Sequence, residues 1–113
     1  MPGKPTYNRK VDANQSAVIA EVRKFPGCTV QDLHGVGNGV PDLIIGFLGE
    51  NFLVELKDGS KPKHQKQLTE PEKEWHQKWK GQVAICESAE DIFKLITGQH
   101  PYHSFSDRNK TEK

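Results

Sequence analysis

Residues 42–57 have the sequence DLIIGFLGENFLVELK, in which two apolar runs are joined by Gly49-Glu50. Two short apolar runs on either side of a glycine-containing turn are typical of a β-hairpin. Side chains along a strand alternate between its two faces, so Glu55 and Lys57 are predicted to share a face with Leu53. The hairpin therefore sets the centre of the fold and places two charged residues side by side at its end.

These charged residues predict a chemical site. Asp42 stands at the start of the first strand, so the turn brings it across from Glu55. Two carboxylates suit Mg²⁺, which proteins usually hold with one or two carboxylates while water and substrate phosphate complete the octahedron. Lys57 would then hold a nucleophilic water or stabilise the charge of a phosphoryl transition state. A Glu-x-Lys strand end alone is more often a solvated edge, and the combination with Pro41-Asp42 favours catalysis.

The elements around the hairpin follow from apolar spacing and from helix caps. Thr69 and Glu72 form a predicted capping box, and Ser88 is a second predicted cap. Trp75 and Trp79, four residues apart, are interpreted as core residues. The predicted elements are a helix over 14–25, strands over 28–33, 42–48 and 51–57, a helix over 70–80, a strand over 83–86 and a last helix after Ser88. The order αβββαβα predicts an α/β fold with a central mixed sheet flanked by helices.

The length of 113 residues fits one domain, residues 1–113. Its core is expected over about residues 12–97, between polar tails at 1–11 and 99–113. No apolar run approaches the length of a membrane span, and the first ten residues lack the apolar segment of a signal peptide. We therefore expect a cytoplasmic protein that does not enter a membrane.

The charge distribution indicates a second functional surface. The net charge is only +1, but three lysines follow the hairpin closely, namely Lys61, Lys63 and Lys66. A local basic patch can bind phosphates, and lysine supplies a point charge without reading bases. We expect these three residues to bind the DNA backbone, although a solvated loop is the alternative interpretation.

In these motifs the chain resembles the VRR-NUC (virus-type replication-repair nuclease) branch of the PD-(D/E)xK superfamily, in its small stand-alone form. The resemblance covers about Asp12 to Ile96. It rests on DANQ at 12–15, VGNGVPDLIIG at 36–46, NFLVELKDG at 51–59 and LTEPEKEWHQKWKGQVAI at 68–85. It implies a restriction-endonuclease-like fold, metal ligation by Asp42, Glu55 and the backbone carbonyl of Leu56, and Lys57 as the catalytic lysine.

The chain departs from the family pattern at two positions. A glutamate is common in the first helix of relatives, whereas Gln15 or Ala17 falls at that place and Glu21 lies one turn later. The second helix of relatives often carries Gln-x-x-aromatic, and this chain has Glu72 followed by Trp75. Because the capping box already accounts for Glu72, it is not included in the predicted site.

The leading hypothesis is a metal-dependent DNA endonuclease that uses Mg²⁺, with Mn²⁺ expected to substitute, and that selects branched DNA such as Holliday junctions. The alternatives are an inactive nucleic-acid-binding module, a restriction-type nuclease, and a regulatory interaction protein. One catalytic set per chain favours a homodimer, because cutting two strands requires two sets. Its candidate surface includes Phe93, Tyr102 and Phe105. The sequence leaves open the number of metals, the preferred DNA structure, activity on RNA and the pathway.

Overall fold

The hairpin forms as predicted, with its turn one residue earlier. In the computed structural model, which describes residues 13–98, Phe47 pairs with Glu50 and the two turn residues are Leu48 and Gly49. Both have positive φ, 52° and 81°, the conformation of the two-residue turns that suit the twist of a hairpin. Leu48 is 82% exposed, so its side chain leaves the sheet at this point.

The predicted element order is confirmed. The elements are α1 (Ala13–Arg23), β1 (Cys28–Asp32), β2 (Leu43–Phe47), β3 (Glu50–Leu56), α2 (Glu70–Lys78), β4 (Ala84–Cys86) and α3 (Ala89–Ile96), with a short 3-10 turn at Lys63–Gln65. The four strands form one sheet in chain order. β1, β2 and β3 are antiparallel, and β4 is parallel to β3. The molecule is thus an α/β domain with a mixed sheet.

One face of the sheet carries the hydrophobic core. Alternate residues of the hairpin share this core with residues of α1 and α3. α1 also packs against β1 and α3. The largest fully buried side chains include Leu43, Ile45, Val54 and Ile92. The alternation predicted for β3 is confirmed, because its core-facing residues are all buried, namely Phe52, Val54 and Leu56.

α2 lies on the opposite face, and none of its residues is buried. The capping box at its start forms as predicted, since Thr69 Oγ1 accepts from Glu72 N and Glu72 Oε1 accepts from Thr69 N. The glycine loop, residues 35–39, lies against this end of the helix at Gly39. A Cβ at position 39, where φ is +82°, would collide with the Pro71 carbonyl. The glycine loop therefore fixes where α2 begins.

No helix within residues 13–98 is both long and apolar enough to cross a membrane. Cys86 is buried and Cys28 half-buried, and both are free thiols. Phe93 stacks on Phe25 at 4.8 Å and packs against the core, so much of its apolar surface is already used within the chain. Tyr102 and Phe105, the other residues of the expected dimer surface, lie outside the described residues.

Candidate active site

The open end of the hairpin is organised by Asp42. Backbone pairing between β2 and β3 ends at Leu43 and Val54. Beyond it, Asp42 Oδ2 accepts a hydrogen bond of 2.8 Å from Leu56 N, while the Asp42 carbonyl accepts one of 2.7 Å from Leu33 N. The carboxylate thus takes the place of a backbone carbonyl in the ladder. The sequence prediction that Asp42 lies across from the end of β3 is confirmed.

The backbone carbonyl of Leu56 faces the same gap. In an extended strand the N–H and C=O of one residue point to the same side, as their paired bonds in an antiparallel ladder show. Leu56 N points toward Asp42, whereas Lys57 N points the other way and donates to Cys86 O at 2.9 Å. The Leu56 carbonyl is therefore directed toward the Asp42 carboxylate, on the side where β2 has already ended.

Glu55 is the most unusual residue of the site, because it is a carboxyl that is only 2% exposed. Its Oε2 lies 3.7 Å from Lys57 Nζ, and its buried Oε1 makes no hydrogen bond within the described residues. Burial, followed by the negative charges of Asp42 and Glu72, raises the pKa of Glu55 to about 9. The isolated domain thus holds this carboxyl protonated at neutral pH.

The pKa of Asp42 is also raised. Burial raises the pKa of its carboxyl, although the hydrogen bond from Leu56 N opposes the shift. A buried carboxyl without enough hydrogen-bond donors is costly to ionise. Asp42 and Glu55 therefore form a pair of acids for which a nearby cation would be strongly favourable.

Lys57 contacts a residue that sequence reasoning excluded. Its Nζ donates to Glu72 Oε1 at 2.9 Å, a closer contact than the one to Glu55. Burial lowers the pKa of Lys57, but the hydrogen bond and charge of Glu72 outweigh this, and the net pKa is raised. Glu72, which was not included in the predicted site, therefore both caps α2 and contacts the lysine. The available signal was its place in the Glu72-x-x-Trp75 segment, where relatives of the resembled family carry a glutamine.

The residues present fit a hard divalent cation. Asp42 and Glu55 supply carboxylate oxygens and Leu56 a carbonyl oxygen, and the unpartnered Oε1 of Glu55 is a buried acceptor that needs a partner. Over residues 13–98 no group of three or more His, Cys, Asp and Glu side chains is arranged to hold a metal. A set of two carboxylates with water is sufficient for Mg²⁺. The donor chemistry matches that ion and not zinc, which prefers nitrogen and sulfur.

Gln15 and Glu21 are the two polar residues of α1 that were considered for the metal site. Gln15 is buried and its Nε2 has no hydrogen-bond partner among the described residues. Glu21 is exposed on α1. Neither residue is brought into hydrogen-bond contact with the site.

The three predicted DNA-binding lysines differ from one another. Lys61 and Lys63 are exposed, in the segment that follows β3. Lys66 is half-buried and pairs with Glu87 at 3.4 Å. Two of the three lysines thus present an exposed charge, whereas the third already has an acidic neighbour.

The interpretation of the tryptophans as core residues is not what the structure shows. Trp75 and Trp79 stack on each other with ring centres 4.6 Å apart, and neither belongs to the hydrophobic core. Trp79 is 40% exposed and borders a groove with Ile44 and Leu53. Trp79 therefore lies on the sheet face that carries Leu53 and Glu55.

Comparison of the chain with protein-family models, with curated proteins and with solved structures finds no match in any of the three. The geometry of the site therefore carries the functional argument.

Proposed function

We propose that the chain is a Mg²⁺-dependent endodeoxyribonuclease with the PD-(D/E)xK fold, of the VRR-NUC type. The observation that carries the proposal is the gathering of Asp42, buried Glu55, Lys57 and the Leu56 carbonyl at the open end of one hairpin. A site made only for protein packing has no use for two neighbouring acids of which one, Glu55, is fully buried. The low exposure of Glu55 also argues against the solvated-edge interpretation of its Glu-x-Lys motif.

Asp42, Glu55 and the Leu56 carbonyl would hold the cation. When bound, Mg²⁺ would neutralise phosphate charge and lower the pKa of a coordinated water. The burial of Glu55 and the partial burial of Asp42 reduce the screening of their charges by bulk water. The pKa of Lys57 is raised, so its side chain is charged at neutral pH. This ammonium would orient the attacking water and stabilise negative charge on the phosphoryl oxygens.

The substrate in this proposal is DNA, and branched DNA in particular. Lys61 and Lys63 extend from the segment after β3 and would bind backbone phosphates, with Lys66 as a weaker contributor because it already pairs with Glu87. Two chains would associate to cut paired strands of a junction. Mn²⁺ would substitute for Mg²⁺, because it accepts the same oxygen ligands.

The test is incubation of the chain with Holliday-junction, flap and plain duplex DNA, with Mg²⁺, with Mn²⁺ and with a chelator. We expect cation-dependent cleavage of the junction. Asp42→Asn, Glu55→Gln and Lys57→Ala should each reduce the rate by at least about 10²-fold, as the loss of one transition-state contact does. Glu74→Gln on the exposed side of α2 is the matched control and should cut normally. Binding of junction DNA without cleavage under all conditions would instead identify an inactive binding module.

A further inference from the structure

We propose that Glu72 is a positioning residue for Lys57, so that the first turn of α2 determines where the catalytic ammonium lies. The inference rests on the proposed nuclease function, because it concerns the lysine of that site. It assigns a role to a residue that also has a complete structural one.

A single oxygen atom joins the helix cap to the lysine. Glu72 Oε1 accepts from Lys57 Nζ at 2.9 Å and from Thr69 N, also at 2.9 Å. The backbone N–H of Thr69 belongs to the N-cap, so this bond fixes the carboxylate relative to the helix. Lysine has a flexible four-carbon stem, and an anchored acceptor is what restricts it to one position.

The position matters because Lys57 has a second possible partner. Glu55 Oε2 lies 3.7 Å from Lys57 Nζ, beyond hydrogen-bond distance. Without Glu72 the ammonium would be free to approach Glu55, one of the two carboxylates proposed to hold the cation. Glu72 thus keeps the lysine beside the site and leaves the Glu55 carboxyl available to the metal.

The location of Glu72 is itself determined by packing. α2 has no buried residue to hold it in the core, but its first turn is pressed against Gly39, where a side chain would collide with the Pro71 carbonyl. The glycine loop, the start of α2 and Lys57 therefore form a connected series of contacts. Each link is short range and within the described residues.

The experiment compares three variants of the whole chain. Glu72→Ala removes both roles of the residue, and Glu72→Gln keeps an acceptor oxygen at the same place. Thr69→Ala weakens the same helix cap without touching Lys57, since Thr69 contributes its hydroxyl to Glu72 N and its backbone N–H is unchanged. For each variant, kcat on junction DNA and the Kd for that DNA in Ca²⁺ are measured.

A second readout needs no activity. The rate at which an amine-reactive ester acylates Lys57 is followed residue by residue by mass spectrometry. In the unaltered chain Lys57 has a side chain only 13% exposed and is hydrogen-bonded, so it should react slowly. Loss of a hydrogen bond to a charged group should make acylation about tenfold faster in Glu72→Ala, with little change in Thr69→Ala.

We expect Glu72→Ala to lower kcat by roughly 10- to 100-fold, the scale of a small misplacement of a catalytic group, with an unchanged Kd. Thr69→Ala and Glu72→Gln should both stay within about threefold of the unaltered chain. The proposal is overturned if Thr69→Ala loses as much kcat as Glu72→Ala, or if Glu72→Gln fails to rescue. If the unaltered chain cuts no DNA, the nuclease proposal fails. Faster acylation of Lys57 in Glu72→Ala than in Thr69→Ala would still support the positioning contact. Equal acylation rates in the two variants would refute it.

Discussion

Replacing Glu55 by glutamine should abolish cleavage and at the same time make the metal-free domain more stable at alkaline pH. The carboxyl has a pKa of about 9 in the folded chain against an ordinary value of 4.5. Between these values the folded state holds a proton that the unfolded state does not, so the free energy of unfolding falls as pH rises. The stabilisation of the folded state by the protonated Glu55 carboxyl is complete below about pH 4.5 and is lost as the pH rises through about 9.

The magnitude follows from the size of this window. Each pH unit between the two pKa values lowers the free energy of unfolding by about 1.4 kcal/mol. Between pH 6 and pH 8, Glu55 therefore lowers the free energy of unfolding by up to about 3 kcal/mol. For a domain of this size that corresponds to a fall in Tm on the order of 10 °C. A glutamine cannot ionise, so the Tm of Glu55→Gln should depend clearly less on pH over the same range.

The measurement is thermal unfolding by circular dichroism from pH 6 to pH 8, with a chelator present to remove divalent cations. Glu74→Gln is the matched control, because Glu74 is exposed and pairs with Lys78 on the surface of α2, and it should keep the steep dependence. Parallel Tm curves for the unaltered chain and Glu55→Gln would refute the assignment of Glu55 as a buried, protonated acid.

The remaining predictions concern DNA binding, packing and assembly. Lys61→Ala combined with Lys63→Ala should reduce the slope of log K against log salt by about two units. Lys66→Ala should change this slope less, because Lys66 pairs with Glu87. An unchanged slope in the double variant would exclude Lys61 and Lys63 from the phosphate contacts. Gly39→Ala should lower the Tm by several degrees and kcat by at least about tenfold, since it displaces the start of α2; a fully active variant would show that the glycine loop does not locate the site. Light scattering at micromolar concentration should give the mass of two chains, and a monomer both alone and on junction DNA would remove the basis for paired cutting.

The sequence was sufficient to predict what depends on local periodicity. The alternation of apolar residues in 51–57 places Glu55 and Lys57 on the face away from the core, and the caps at Thr69 and Ser88 both form. The turn of the hairpin was predicted one residue too late. Gly49 is the second residue of the turn, and Leu48 is the first and adopts a positive φ. A positive φ is uncommon for such a side chain, so the sequence favoured Gly49 as the first turn residue.

What the sequence did not predict depends on contacts between distant segments. Glu72 contacts Lys57 although the two residues lie 15 positions apart in the sequence, and no spacing rule connects a helix cap with a strand end. Trp75 and Trp79 have the spacing of a core helix, but α2 lies against the less covered face of the sheet, where they stack on each other. Glu87, the partner of Lys66, lies just after β4 and 21 positions away in the sequence.

In the proposed nuclease, the use of the Asp42 carboxylate as the last rung of the hairpin ladder would link catalytic competence to strand registration. A shift of one residue would turn every side chain of β3 over, burying Glu55 among the aliphatic residues and moving Leu56 out of reach of Asp42. An incorrectly registered molecule would therefore lack the site altogether, since no intermediate alignment retains it. A partly misfolded preparation would consist of fully competent and fully inert molecules, so its specific activity would fall in proportion to the inert fraction while KM remained constant.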